Sequence, residues 1–174
     1  IFRFLTVKNL SLVYMVKLTQ SSWFEYSKKR VLEWMGVAPL SLETRENAIL
    51  YYYFPEGFAR SAPVRYALFY GVQRLQWTGI VSSATEDSFT VRLDQGPFRG
   101  FTAIHSFIQD GALTLCDDSF EFQGESSELT SILEKASVLY VLNSREKALD
   151  ILLQVQKEKK TGTFAAIQAP ISAG

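Results

Sequence analysis

Between Ala48 and Phe122 the chain is a series of short β-rich runs broken by turn residues, and this pattern limits the fold more than any other feature. "AILYYYF", "VRYALFY", "QRLQWTGIV", "SFTVRLD", "FTAIHSFI" and "ALTLCDDSFEF" are the candidate strands. Short pieces rich in Gly, Pro and Asp separate them. Parallel strands need a crossover of roughly a dozen residues or more, and these gaps cannot hold one. The runs therefore predict an antiparallel meander.

The flanks complete the order. "SLVYMVKLTQ" (Ser11–Gln20) places Leu12, Tyr14, Val16 and Leu18 on one face and Val13 and Met15 on the other, so it predicts a strand. "SSWFEYSKKRVLEWMG" reads as a helix, with a capping-box pattern at Ser22 and Glu25 and a stop at Gly36. Phe24, Val31, Leu32 and Met35 share its apolar stripe. The region Ser41–Asn47 has no clear pattern. After Gly124, "SELTSILEKASVLYVLNSREKALDILLQVQKEKK" has Leu129, Ile132, Leu133, Ala136 and Leu139 at helical spacing. Asn143 and Glu146 resemble a second cap, where the helix breaks or kinks. The order is strand, helix, about six strands and a long helix, an α+β domain over 1–160. Residues 161–174 are small and uncharged and read as a flexible tail.

Composition removes several functions. Lys plus Arg and Asp plus Glu are both 18, so the basic footprint of a nucleic-acid binder is missing. No run approaches the roughly 18 apolar residues of a membrane span, so no integral membrane segment is expected. One cysteine, Cys116, excludes an internal disulfide framework, and one Cys with one His leaves no usual zinc site. Neither a metal nor an organic cofactor is expected. Thirteen Phe, 8 Tyr and 3 Trp supply rings for a core or an apolar pocket. The first residue is Ile1, so no leader can be read. The expected location is cytoplasmic, and nothing in the sequence speaks to oligomeric state.

Asp110-Gly111 between β-rich runs is a strong signal for a tight hairpin. If these two residues form the loop, Phe107 faces Thr114, His105 faces Cys116, Ala103 faces Asp118 and Phe101 faces Phe120. All share one face of the sheet, the ring-bearing face taken as concave. His105, the only histidine in the chain, then has Cys116 opposite and Asp118 on a diagonal. Tyr66, Leu68 and Tyr70 share a face of their strand, and Trp77, Gly79 and Val81 a face of the next.

Three pieces resemble a known family: "RYAL" (Arg65–Leu68), "WTGIV" (Trp77–Val81) and "FTVRLDQGPFRGFTAIHSF" (Phe89–Phe107) followed by "TLCDDSFEF". They are similar to the SRPBCC superfamily of START-like lipid carriers and polyketide cyclase/dehydrase-like proteins, over about Val13 to Lys160. The resemblance implies a helix-grip fold, a curved antiparallel sheet of six to seven strands around a long C-terminal helix with a deep hydrophobic cavity. The strand before Gly-Pro-Phe often carries an Asp and a Gln, where this chain has Val91 and Leu93. The strand after it often reads Trp-x-His-x-His-x-Phe, where this chain has Phe101, Ala103, His105 and Phe107. These departures imply a greasier pocket.

The expected function is binding of a hydrophobic small molecule, lipid-like, polyketide or aromatic. Its expected wall is Tyr66, Leu68, Tyr70, Trp77, Gly79, Val81, Phe89, Val91, Leu93, Phe101, Ala103, His105, Phe107, Cys116, Asp118 and Phe120. His105, Asp118 and cavity tyrosines would orient a carbonyl or hydroxyl. The alternative is a cyclase/dehydratase-type enzyme in which His105 or Asp118 moves a proton. A third reading is an interaction module with a filled core. Gly79 either leaves room for a ligand or marks a bulge.

Overall fold

The computed structural model describes residues 15–42, 47–96, 98–124 and 127–161. The expectations for residues 11–14, for 43–46 and for the tail from 162 onward lie outside them. Among the described residues eight strands form one sheet: β1 (Met15–Phe24), β2 (Ile49–Tyr53), β3 (Pro63–Tyr70), β4 (Gln73–Ala84), β5 (Ser88–Gln95), β6 (Phe98–Asp110), β7 (Leu113–Gly124) and β8 (Ser137–Val138). Their order is β1-β7-β6-β5-β4-β3-β2-β8, antiparallel throughout except for the β2–β8 pair. Helix α1 (Lys28–Met35) follows β1, α2 (Ser127–Glu134) follows β7, and α3 (Leu142–Thr161) comes last. This is the predicted helix-grip arrangement, a curved sheet with a C-terminal helix.

Three local expectations are corrected. Residues Ser22 to Phe24 belong to β1, and α1 starts later, with Ser27 as its cap accepting from the Arg30 amide. Trp23 and Phe24 pair with Leu115 and Thr114 of β7, so sheet pairing overrides the capping-box pattern. The break expected at Asn143 in the C-terminal helix comes earlier, and α3 starts at Leu142. The break spans Lys135–Val141, where Ser137 and Val138 pair with Ile49 and Leu50. The Ser137 and Leu139 amides donate to the carbonyls of Ala48 and Leu50. That edge pairing satisfies backbone groups that a helix would have paired internally.

The third correction is the β6–β7 register. The loop residues are Gly111 and Ala112, with Gly111 at φ 60°. Asp110 therefore pairs with Leu113, Phe107 with Cys116, His105 with Asp118 and Ala103 with Phe120. The shift from the expected register is two residues. An even shift keeps every side chain on its face and changes only its partner.

Gly79 marks a bulge. The β4–β5 register slips between Thr78 and Gly79, and a Cβ there would collide with Val91 Cγ1 and meet Tyr66 Cε2 at 3.3 Å. The space beside Gly79 is already occupied by its neighbours. Gly79→Ala is expected to destabilise the fold by about 1–3 kcal/mol through overpacking. Urea unfolding checks it, and an unchanged midpoint would contradict this packing.

Candidate functional site

Strand registers stack inward side chains into rows. Tyr52, Tyr66 and Trp77 form one row across β2, β3 and β4. Phe89, His105, Asp118 and Gln20 form another across β5, β6, β7 and β1. The curvature of the sheet brings these rows together over the concave face. His105 is fully buried there and its ring lies 3.9 Å from that of Tyr52 and 4.8 Å from that of Phe89, centroid to centroid.

The polar groups make one connected network. His105 Nδ1 is 2.6 Å from Asp118 Oδ1, and His105 Nε2 is 2.9 Å from the Tyr66 hydroxyl. Tyr52 donates its hydroxyl to Asp118 Oδ1 at 3.1 Å and lies 3.0 Å from the Tyr140 hydroxyl. With Nδ1–H donating to the carboxylate, Nε2 of a neutral ring accepts from Tyr66. Asp118 brings the carboxylate of this network, and its Oδ1 takes both bonds. Its Oδ2 is buried and accepts no hydrogen bond from the described residues.

Burial sets the protonation of the surrounding groups. It is the main reason that the Tyr52 and Tyr66 phenols are held well above their ordinary range, with the Asp118 charge adding to it. Burial also pushes the Cys116 thiol up, with Asp118 and Asp117 reinforcing it. A thiol held protonated is a poor nucleophile. The Arg145 side chain of α3 is fully buried too. Its guanidinium donates to the backbone carbonyl of Tyr52 and contacts Met35 Sδ, and burial lowers its pKa to about 10.

Most residues expected to wall a pocket are packed against one another. Tyr66, Trp77, Val81, Phe89, Val91, Phe101, Ala103, Phe107, Cys116 and Phe120 are each at most 4% exposed. Leu93 is half-buried against the same core. Leu68 and Tyr70 line a cleft of about 570 Å³ between the β3–β4 hairpin and α2, with Leu75, Leu129 and Ile132. Tyr70 is 40% exposed at its rim. The sequence reading missed Tyr52, Tyr140 and Arg145. Tyr52 was legible as one of three consecutive tyrosines whose alternation must send one inward, whereas Tyr140 and Arg145 flank the expected helix break and nothing in the local pattern turns them inward.

No helix among the described residues is long and apolar enough to cross a membrane, and no group of three His, Cys, Asp or Glu among them is placed to hold a metal. No family profile and no curated protein matches the chain. Solved structures do match. TTHA0849 from Thermus thermophilus is similar at 12% identity and TM-score 0.47, over 81% of this chain and 99% of that one. Major latex-like protein 151 from Panax ginseng is similar at 15% identity and TM-score 0.45, over 86% and 98%. A point mutant of norcoclaurine synthase from Thalictrum flavum, in complex with a transition-state analogue, is similar at 12% identity and TM-score 0.45, over 83% and 98%. The fold stands on strand order and register, and the chemistry on the cluster itself.

The buried thiol and phenols give a pH prediction. Each holds its proton to higher pH in the folded chain than in the unfolded one, where Cys titrates near 9 and Tyr near 10. The folded state then binds more protons above pH 9, and stability falls as pH rises, by up to about 1.4 kcal/mol per pH unit for each group. Arg145 acts in the opposite sense above about pH 10, where its buried charge is relieved. Urea unfolding at pH 8, 9 and 10 should show stability falling above pH 9, with Cys116→Ala flattening the first part of the fall. A flat profile in the unaltered protein would contradict it.

Proposed function

We infer that the chain binds a hydrophobic small molecule on the concave side of the sheet, its polar group addressed to the Tyr–His–Asp network. The observation that carries this reading is Asp118. Its carboxylate is buried among rings, and Oδ2 accepts nothing from the described residues. A buried acceptor without a partner costs about 1–3 kcal/mol, more when charged, so its retention on an apolar face calls for a purpose. A ligand hydroxyl near the network supplies a donor, and the surrounding rings bury its apolar body at about 25 cal/mol per Å² before ordering costs. The cleft beside Leu68 and Tyr70 is one partly apolar opening next to β3.

Native mass spectrometry of freshly purified protein tests the reading. A co-purified apolar molecule that is released on collisional activation, and held less well by Asp118→Asn, is the expected result. Bare protein that also takes up no apolar fluorophore would overturn it.

The relay Tyr66–His105–Asp118 also favours a second reading, acid/base chemistry of the cyclase/dehydratase kind. The carboxylate orients the imidazole, and the imidazole meets the Tyr66 phenol. In that case His105→Asn keeps ligand binding and loses turnover by about 10²-fold or more. Full turnover by the variant would exclude this reading.

A further inference from the structure

The network ends on a residue unlike its other members. Tyr52, Tyr66, His105 and Asp118 are buried, and Tyr140 is half-buried. Tyr140 sits in the break between α2 and α3, two residues beyond β8. Its ring meets Phe24 edge-on at 5.1 Å and Tyr52 edge-on at 5.8 Å, and its hydroxyl is 3.0 Å from that of Tyr52. Phe24 and Tyr52 thus make a slot that receives a phenol, hydroxyl first, from the chain's own backbone.

The donor direction narrows what else fits. Tyr52 donates its own proton to Asp118. Its oxygen is then an acceptor toward Tyr140, and the group in the slot must bring a proton. A hydroxyl does so, whereas a ketone or an ether cannot.

The backbone around Tyr140 is held by the Ser137 and Leu139 amides and by buried Ala136 and Val138, so the part free to leave is the half-buried Tyr140 side chain. β8 pairs with β2 over two residues. Across the seam to β1, the bonds seen among the described residues are Val138 N–H to Gln20 Oε1 at 2.6 Å and the Phe24–Tyr140 ring contact. Removing Tyr140 from the slot breaks one hydroxyl–hydroxyl bond and two edge-on ring pairs, and an incoming phenol remakes all three. The exchange is close to balanced, so modest ligand concentrations can drive it.

The geometry points to a phenol or similar aromatic alcohol as the ligand, with Tyr140 as its built-in stand-in, displaced when the ligand binds. This rests on the reading above and specifies its ligand class and regulation. The test compares 2-naphthol with 2-methoxynaphthalene, which has the same rings and no proton to donate. Tyr140→Gly should bind 2-naphthol about ten-fold more tightly than the unaltered protein, because the competitor is gone. It should also prefer 2-naphthol over the methyl ether by about five-fold, the worth of one neutral hydrogen bond. Equal affinity for the two probes, or no gain over the unaltered protein, overturns the inference.

A measurement on the unaltered protein guards against a variant that fails to fold. Saturating 2-naphthol should abolish the Tyr140–Phe24 ring contact in NMR spectra as the side chain leaves the slot, and an unchanged contact with the probe bound overturns the inference. A co-purified apolar ligand held equally by the unaltered protein and Tyr140→Gly would leave the binding function intact and remove only the role of Tyr140. Failure to take up any apolar molecule would remove both.

Discussion

The interior is arranged around one buried carboxylate. Asp118 lies on the concave face of the sheet at 3% exposure, among rings. An isolated carboxylate in such surroundings would take up a proton or unfold its strand. It is tolerated because β6 presents His105 directly across from it and β2 presents the Tyr52 hydroxyl from the other side. The hairpin turn is part of that solution. A loop at Asp110-Gly111 would have set Ala103 opposite Asp118, and the Gly111–Ala112 loop moves the imidazole into that place.

Arg145 is the second buried charge, and it reaches the same centre from α3. Its guanidinium holds the main-chain carbonyl of Tyr52 while the Tyr52 hydroxyl holds Asp118. Tyr52 therefore stands between cation and anion and is bound to both. The first turns of α3 are anchored in this way, with Arg145 and Ala148 buried, whereas Ile151, Leu152 and Leu153 farther along are about half exposed. The grip of the helix on the sheet is concentrated at one polar contact and its immediate neighbours.

Which residues face inward was legible from period-two alternation, and His105, Asp118, Phe107, Cys116 and Phe120 share the face assigned to them. An error of two residues in register cost the identity of the partners and nothing else, because the face depends only on parity. A break in the C-terminal helix was legible at Asn143, but the strand pairing that opens it earlier, at Lys135–Val141, was not. Ala136, Val138 and Tyr140 alternate, yet Leu133 and Ala136 also keep helical spacing, and the choice is made by the free edge of β2, a tertiary partner that local pattern does not report. Tyr140 was hidden for that reason. Arg145 was hidden because a charged residue in a helix reads as solvated unless its buried partners are known.

Gln20 belongs to the inward row of His105 and Asp118, and its side chain closes the seam to Val138, 118 positions away in sequence. The strands from β2 to β7 join neighbours along the chain and can zip up through hairpins, but β1 must find β7 across almost the whole domain. Contacts of such separation carry the largest loop-closure cost and tend to form late. Until β1 docks, β7 presents a bare edge and Asp118 lacks the strand that shields it. A ribosome would have released β1 long before its partner existed, so this strand waits, unpaired, while every strand from β2 to β6 is made.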